Sequence, residues 1–420
     1  MFKETTQATP PILAPGMLAN AEAYGETLGQ AHARQETASV LFVDQSGQLG
    51  GAEFSLMPLA ATWGARREVL LLSDGPFRTR LEALGVPVSL ACEASVSDIR
   101  KDTLRLSWLG ALPGILRQVR AIARHAEGYD ILFLNTQKAL VLGALGKPLH
   151  RKRIIWHLHD IMSSEHFGPL QRLIVRWLTR YAVDHVIANS RASADSLIAL
   201  AHCAPDDVPV VHNGVDLEEF RCKDAPDMAA LRQQFGLPEN VYLAGLFGRL
   251  APWKGQHIAL EALARIPDLH LVLVGSALFG EQEYVKSLHS QAARLGVQDR
   301  LTFAGFRDDM PAWMKAVDVI LHTSTEPEPF GRVIIEGMAA GRPVIAAAAG
   351  GVTEIVRHRT NGWLVPPRDV TALADAIAIL RAAPELADRL ANQALDDVAQ
   401  RFSVEAYLVQ MKKMIANVCE

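Results

Sequence analysis

The chain has 420 residues, of which 49% are hydrophobic and 21% are charged, and its formal net charge is −4. This length is too great for one ordinary core and predicts two or three domains of a globular protein. The slightly negative charge excludes a general nucleic-acid binder, which carries a large positive excess. The four cysteines show neither Cys-x-x-Cys nor zinc-site spacing, which predicts reduced thiols in a cytoplasmic protein.

Residues 1–37 are polar and rich in Ala, Thr, Gln and Pro, a composition that predicts a loose arm. The apolar run 39–43 then leads through Gly50 and Gly51 into a helix that reaches about residue 62. Strand, glycine loop and helix in this order open a doubly wound sheet. Further apolar strands alternate with helical stretches and predict a parallel sheet that is covered on both faces: 68–72, 87–90, 131–135, 153–158 and 185–188.

The same alternation starts again after a break at 212–220. Its strand candidates are 242–245, 269–274, 301–304, 319–322 and 343–346. The predicted fold class is therefore α/β, with two doubly wound, Rossmann-like domains over 38–215 and 216–403 that face each other across a cleft. The segment 404–420 contains a further helix without an obvious place in the second sheet, and we expect it to pack back on the first domain.

Two cations follow the first strand of the second domain. Arg249 and Lys254 lie between Gly248 and Gly255. Surface charge is the commonest fate of such residues, but the strand-end position and the two glycines favour contact with a phosphate. Gly275 ends the next strand and is a weaker indication of a pocket for a base.

Two acids frame a later segment, Glu328-Pro-Phe-Gly-Arg-Val-Ile-Ile-Glu336. Within it Phe330 and Gly331 open a helix, whose free N–H groups and dipole attract an anion. Glu336 has apolar neighbours and needs a partner; the two hydroxyls of a ribose are suitable, and a solvated helix residue is the alternative. Glu328 alone would be an ordinary surface acid, but beside this helix start it suits sugar hydroxyls. Together with the two cations, this predicts a nucleotide-diphosphate-sugar as ligand.

These segments resemble the retaining glycosyltransferases of the GT-B fold, family 4. In the second half the matching stretches follow the order of that family: Gly248–Gly255, Leu271–Gly275, Ala304–Phe306, Glu328–Glu336, Gly350–Glu354 and Asn361–Pro366. The first half is similar more loosely, through the residue pairs at 50–51, 159–160 and 189–190 and the segment 212–216.

The resemblance implies a role for each matching residue. Arg249 and Lys254 would hold the donor pyrophosphate, Glu328 the transferred sugar, Glu336 the ribose, and His159 would lie near the reacting sugar. For both His159 and His157, the alternative is an ordinary histidine of the protein core. The predicted catalytic residues are thus Arg249, Lys254, Glu328 and His159, and the predicted donor-binding residues are Gly50, Gly51, Gly248, Gly275, Phe330, Gly331, Val333 and Glu336.

The resemblance also implies retention of the anomeric configuration by attack on the same face, with the leaving phosphate accepting the acceptor's proton. We therefore nominate no protein base. No Asp-x-Asp occurs in the chain, which disfavours a metal-dependent design, and we expect no metal and no cofactor besides the donor. Alternatives are a nucleotide-sugar epimerase or hydrolase of the same fold and a non-catalytic binding subunit. A dehydrogenase is disfavoured because no Gly-x-Gly-x-x-Gly follows the first strand.

The acceptor is expected to be a glycan or a lipid-linked acceptor. Segment 101–180 holds thirteen Lys and Arg against five Asp and Glu, which indicates an anionic partner. Arg172, Arg176 and Arg180 recur at helical spacing, and two interpretations stay open. One is a face that rests on anionic lipid, which would associate this cytoplasmic protein with a membrane. The other is a solvated helix whose apolar side packs on the sheet.

Overall fold

The computed structural model describes residues 38–91, 108–221, 227–277 and 280–418. The predicted arm over 1–37 lies outside these residues, as do Cys92, Cys222 and Cys419. Cys203 is described and carries a free thiol.

The first lobe contains a sheet of six strands among the described residues. The strands are β1 (Val40–Asp44), β2 (Arg67–Leu71), β3 (Val88–Leu90), β4 (Ile131–Leu134), β5 (Arg153–Leu158) and β6 (His185–Ala188). They pair in parallel in the order β3-β2-β1-β4-β5-β6. The helices are α1 (Gly51–Thr62), α2 (Pro76–Ala83), α3 (Trp108–Ala126), α4 (Gln137–Leu145), α5 (Lys147–His150), α6 (Pro169–Tyr181) and α7 (Arg191–Ala201).

The second lobe repeats this arrangement. Its strands are β7 (Tyr242–Phe247), β8 (Leu269–Val274), β9 (Leu301–Gly305), β10 (Val319–His322), β11 (Val344–Ala347) and β12 (Trp363–Val365). They are parallel in the order β12-β11-β10-β7-β8-β9. The helices are α8 (Leu217–Arg221), α9 (Met228–Phe235), α10 (Gln256–Arg265), α11 (Gln282–Leu295), α12 (Met310–Ala316), α13 (Arg332–Ala339), α14 (Val352–Ile355), α15 (Val370–Ala382) and α16 (Pro384–Arg401).

The apolar sequences of the strands agree with the burial of both sheets. All residues of β1, β4, β10 and β11 are buried, as expected for parallel strands with helices on both faces. The predicted fold class, two Rossmann-like domains of the GT-B type, is confirmed. The strand prediction missed β12, because its three residues form too short an apolar run to be distinguished from a loop.

The last helix, α17 (Val404–Asn417), belongs to the core of the first lobe. Tyr407, Leu408 and Met411 pack in the same cluster as Phe42, and the Tyr407 hydroxyl donates to the carbonyl of Ser55 at 2.9 Å. The chain therefore passes between the lobes twice. The two passages lie side by side, since Val215 N donates to Phe402 O and Val404 N donates to Val215 O.

The lobes also touch beside these passages. Both oxygens of Glu354 in α14 accept backbone N–H groups at the start of α7, from Arg191 at 2.8 Å and Ala192 at 2.9 Å. His212 Nε2 lies 2.9 Å from the same carboxylate. Burial alone would raise the pKa of Glu354, but His212 and these N–H groups hold it below its usual range. An acid of the second lobe thus caps a helix of the first.

Candidate functional site

The second sheet reverses its strand order between β7 and β10. Ligands of doubly wound folds bind in the crevice outside such a reversal, at the carboxyl ends of the strands. The loop with Arg249 and Lys254 follows β7, and the loop with Glu328 follows β10. The fold therefore brings the predicted cations and the first predicted acid to one edge of the sheet.

Lys254 and Glu328 form an ion pair at this edge. The Lys254 ammonium donates to both oxygens of Glu328 at 2.8 Å. Lys254 ends a 3₁₀ turn, Pro252–Lys254, and the Thr323 hydroxyl fixes that turn by donating to the Lys254 carbonyl at 2.9 Å. The position of the charge is thus set by contacts from both loops.

Glu328 is only 8% exposed, and its second oxygen also accepts from Ser324 at 2.9 Å and lies 3.2 Å from His322 Nε2. Burial by itself would raise the pKa of Glu328. The Lys254 charge and the contact with His322 outweigh burial and hold the pKa well below its usual range. Glu328 is therefore ionised in the folded protein.

Arg249 also lies beside Trp253. Its guanidinium carbon is 5.7 Å from the centre of the Trp253 ring, and the Lys254 ammonium is 4.1 Å from the same centre. Arg249 Nε is 3.5 Å from Glu281 Oε2, an ion pair that is too long for a good hydrogen bond. The two predicted phosphate contacts thus both lie next to one aromatic ring.

The glycines bring these loops into close contact. Gly275 has φ +142°, and a side chain there would collide with the carbonyl of Gly248. Gly255 has φ +72°, and a side chain there would collide with the carbonyl of Thr323. Only glycine combines these backbone angles with this approach.

Helix α13 begins at this same edge. Gly331 precedes it with φ +104°, and the buried ring of Phe330 stacks on His212 at 5.7 Å. Val333, in the first turn of α13, is half-buried and packs against the core of the second lobe. The N–H groups of this turn lie at the helix end that follows the Glu328 loop, where an anion is favoured.

Glu336 forms an ion pair with Arg332 on the same helix. Arg332 Nε lies 2.7 Å from Glu336 Oε1 without good hydrogen-bond alignment. Arg332 also donates to the Gly214 carbonyl at 3.0 Å and covers the ring of Phe54 in the first lobe at 5.1 Å. The sequence prediction missed Arg332, although it stands four residues before Glu336 on the same helix face.

A further acid, Glu219, lies near Glu336. Burial, then the charges of Asp216 and Glu336, raise the pKa of Glu219 to about 7, while Arg332 opposes them. The sequence prediction missed Glu219, because the raised pKa of an acid on a short helix depends on its burial and on charged neighbours that only the structure shows.

In the first lobe, Gly50 is the extended residue before α1, and its missing side chain leaves room for the Glu53 carboxylate. The space around the Cα of Gly51 is open. His159 is half-buried, and its Nε2 lies 3.1 Å from Asn135 Oδ1. The ring of His157 lies 3.9 Å from that of His159. The structure thus gives His159 a polar partner that the sequence prediction did not contain.

Three polar residues of this lobe were missed, namely Asp44, Glu53 and Asn135. All three are buried. Asn135 Nδ2 donates to Asp44 Oδ2 at 2.7 Å, and Glu53 makes a hydrogen bond with Asp44. A polar residue that directly ends an apolar strand, as Asp44 does, is the sequence signal that could have found them.

The outer surface of the first lobe carries an apolar stripe that the core does not cover. On α6 the buried side chains are Val175, Leu178 and Thr179, whereas the exposed ones recur at helical spacing: Leu170, Leu173, Ile174, Trp177 and Tyr181. Val175 and Leu178 pack in the core of the first lobe, as a helix packed on the sheet requires, whereas the stripe faces solvent. Arg176 and Arg180 are exposed and Arg172 is half-buried.

Exposed apolar side chains also occur on α3 and α5. Lys147 at the start of α5 donates to the Ala182 carbonyl just beyond α6, at 2.7 Å. Leu149 of α5, which is 61% exposed, lines a groove of about 910 Å³ with residues of α3: Leu112, Pro113, Leu116, Arg117, Arg120, Ala123, Arg124 and Glu127. We call the exposed apolar and arginine side chains of α3, α5 and α6 the apolar–basic surface.

The described residues lack two features. No cluster of three or more His, Cys, Asp or Glu side chains has the geometry to hold a metal ion. Among the helices the structure describes, none combines the length and the apolar character that crossing a bilayer requires.

Comparison with known proteins gives matches in both halves of the chain. The family described as Glycosyltransferase Family 4 matches residues 49–219, and the family described as Glycosyl transferases group 1 matches residues 227–397. A D-inositol 3-phosphate glycosyltransferase of Streptomyces bingchenggensis is 36% identical over 301 residues, which are 67% of this chain and 65% of that protein.

Solved structures agree in fold and extend the likeness over nearly the whole chain. HepE of Anabaena in complex with UDP and glucose has a TM-score of 0.82 and 40% identity, over 90% of this chain and 99% of that one. HepE in complex with UDP-glucose has a TM-score of 0.81 and 39% identity, over 90% of this chain and 100% of that one.

Proposed function

The chain belongs to the glycosyltransferases of family 4 and group 1, and from that premise we propose that it transfers a sugar, with retention and without a metal, from a UDP-sugar to a glycan or lipid-linked acceptor. The observation that carries this proposal is the Lys254–Glu328 pair beside the start of α13. The uridine base is favoured because the similar HepE was solved with UDP and with UDP-glucose.

The pair leaves Lys254 able to bind a phosphate. An ammonium has three N–H donors, and Glu328 accepts two of them. The third donor, the Arg249 guanidinium beside Trp253 and the N–H groups at the start of α13 supply positive charge at one edge of the sheet. These groups stabilise the negative charge that develops on a leaving diphosphate.

The proposed reaction breaks the bond between C1 of the sugar and the phosphate oxygen, and the electron pair goes to the diphosphate. The acceptor oxygen forms its bond to C1 from the same face, and its proton moves to the leaving phosphate oxygen. Glu328, which stays ionised, accepts hydrogen bonds from the sugar hydroxyls. When the donor binds, the Glu336 carboxylate gives up its ion pair with Arg332 and accepts hydrogen bonds from the two ribose hydroxyls.

Transfer assays with a panel of UDP-sugars and other nucleotide-sugars test this proposal. We expect release of UDP that depends on an added acceptor, and a product whose anomeric configuration, read by proton NMR, equals that of the donor. Donor breakdown that is independent of acceptor would favour the hydrolase alternative. Donor binding without turnover would favour the non-catalytic subunit.

We also propose that the apolar–basic surface rests on an anionic bilayer and brings the active site to a lipid-linked acceptor. Trp177 is 56% exposed and Leu173 is 60% exposed, with Arg176 beside both on α6. Apolar side chains that enter the acyl boundary, bordered by arginines that attract anionic lipid, are the features of an interfacial helix.

Vesicle sedimentation tests this contact. We expect the protein to sediment with vesicles that contain anionic phospholipid and to remain in solution with neutral vesicles. Replacing Arg172, Arg176 and Arg180 with Glu should lower the bound fraction severalfold, since each basic residue near the surface contributes about 1 kcal/mol. The matched control replaces three exposed arginines of the second lobe, Arg265, Arg294 and Arg389. Equal sedimentation of both triple variants would contradict the proposal.

A further inference from the structure

Four polar side chains form one chain of hydrogen bonds at the carboxyl edge of the first sheet. Asp44 ends β1, Asn135 follows β4, His159 follows β5, and Glu53 lies in the first turn of α1. The three strands are neighbours, and the sheet reverses its order between β1 and β4. These four hydrogen-bonded side chains therefore occupy the position in the first lobe that the Lys254–Glu328 pair occupies in the second.

Two acceptors fix the orientation of the Asn135 amide. Its Nδ2 lies 2.7 Å from Asp44 Oδ2 and 3.1 Å from the carbonyl oxygen of Ala52. The opposite orientation would place the amide oxygen against both of these oxygens in a buried site. Asn135 Oδ1 therefore faces His159 Nε2 at 3.1 Å. Because an amide oxygen only accepts, Nε2 carries the hydrogen, and Nδ1 of the neutral ring is an acceptor.

The surroundings hold His159 neutral. Burial lowers the pKa of His159 to about 3. The adjacent His157 is fully buried with both ring nitrogens unpaired, and burial, with His159 next to it, holds the pKa of His157 well below its usual range. A proton on either ring would lie beside the other without a counter-ion.

Asp44 and Glu53 share one proton. Both oxygens of Asp44 accept N–H groups, from Ser46 at 3.0 Å and from Asn135, so Asp44 is the ionised partner. Glu53 is 6% exposed and faces Asp44 and the backbone of Gly50. Burial, then the charge of Asp44, raise the pKa of Glu53. Two ionised carboxylates cannot be held in contact in a buried site, so Glu53 keeps its proton and donates it to Asp44.

We propose that Asp44, Glu53 and Asn135 are positioning residues that hold His159 as the neutral Nε2–H tautomer and present its Nδ1 to a hydroxyl group of the bound sugar. Only the identity of that hydroxyl rests on the proposed function. The tautomer is a property of the protein without substrate. The buried carboxyl pair holds Asn135 in place, and Asn135 in turn holds the His159 ring. A sugar hydroxyl that donates to Nδ1 is oriented by this fixed ring.

Nitrogen-15 NMR of the full-length protein, labelled at histidine, reads the tautomer without substrate. The variant His159→Gln identifies the His159 signal by its loss. We expect a slowly exchanging Nε2–H signal in the wild type and in Glu53→Gln, whose amide imitates the protonated carboxyl. We expect the signal to be lost by fast exchange in Asn135→Ala. A hydrogen on Nδ1 in the wild type, or an unchanged Nε2–H signal in folded Asn135→Ala, would overturn the proposal.

Transfer kinetics give the second readout. We expect Asn135→Ala to lower kcat/KM about tenfold to a hundredfold, mainly through kcat, because a group that orients the substrate is no longer held. The control Glu82→Gln, an exposed acid of α2, should stay within about twofold of the wild type. Wild-type kcat/KM in folded Asn135→Ala would refute the positioning role. The expected tautomer in a protein that transfers no sugar would instead count against the proposed function alone.

Discussion

The two lobes have the same strand order, yet the carboxyl edges of their sheets differ in charge. At the reversal of the second sheet, Lys254 and Glu328 are both ionised and pair across two loops, with Arg249 close by. At the reversal of the first sheet, Asn135 and a neutral His159 lie next to a carboxyl pair that keeps one proton. The fold fixes where the site lies, and the residues at the strand ends decide its chemistry.

This difference corresponds to the two halves of a nucleotide-sugar. A diphosphate is doubly charged and requires cations and helix N–H groups. A sugar has hydroxyl groups without charge, and neutral acceptors such as an imidazole nitrogen bind them at a lower desolvation cost. We therefore propose that the second lobe binds the phosphates and that the first lobe binds part of the sugar.

Removal of Lys254 is expected to have the largest effect. Lys254→Ala removes a cation that stabilises the leaving diphosphate, and kcat should fall about a hundredfold to a thousandfold. The same change leaves Glu328 buried and unpaired, which should lower the free energy of unfolding by about 3 kcal/mol. Activity assays and urea denaturation of the variant measure the two effects.

The double variant Lys254→Met, Glu328→Gln is the control that separates these effects. Replacement of both partners removes the unpaired charge, so stability should return to near the wild-type value while activity stays low. Recovery of transfer in the double variant would show that the pair is only structural.

Glu336→Ala is expected to have a smaller effect. It removes the proposed ribose contact, and KM for the donor should rise about tenfold, as for the loss of a hydrogen bond to a charged group. The kcat value should change little, because the ribose is remote from the bond that breaks. Steady-state kinetics with varied donor test this; an unchanged KM in the folded variant would remove Glu336 from the site.

The last prediction concerns the carboxyl pair of the first lobe and the dependence of its stability on pH. The unfolded Glu53 carboxyl loses its proton near pH 4.5, whereas the folded one keeps it up to about pH 8. Folding therefore takes up a proton in this window, and the stability of the wild type falls as the pH rises through it. The amide in Glu53→Gln does not titrate, so this variant does not lose stability in that window. Its stability relative to the wild type should therefore increase from pH 5 to pH 8 and then stay constant.

Thermal melting of both proteins at pH 5, 6.5 and 8 measures this difference. The exposed control Glu82→Gln should follow the wild type at each pH. Parallel melting curves for Glu53→Gln and the wild type would show that Glu53 is ionised in the folded protein, and the contrast between the two lobes would be lost.

The sequence predicted the strands and the charged site of the second lobe because apolar runs and glycine-framed loops are local signals. It placed Lys254 and Glu328 in one site. Their direct pairing was not predicted, since they are 74 residues apart and only the sheet brings them together. The ion pair of Arg332 with Glu336 was visible as helical spacing, but the ribose interpretation was preferred there.

In the first lobe the site was predicted only in part. His159 was found through a resemblance, whereas Asp44 and Asn135 were missed, because a single polar residue after a strand is common and gains meaning only from its neighbours. The stripe on α6 shows a related limit. Its spacing predicts a helix, but the side that faces solvent depends on which helices pack beside it.

Calorimetric titration with UDP tests the central claim most directly, namely that the charged edge of the second lobe binds the nucleotide diphosphate. The account predicts that UDP binds the wild type and Asn135→Ala with equal affinity, and that Lys254→Met, Glu328→Gln binds it at least about tenfold more weakly. Equal binding of UDP by the double variant and the wild type, or its loss in folded Asn135→Ala, would contradict the account.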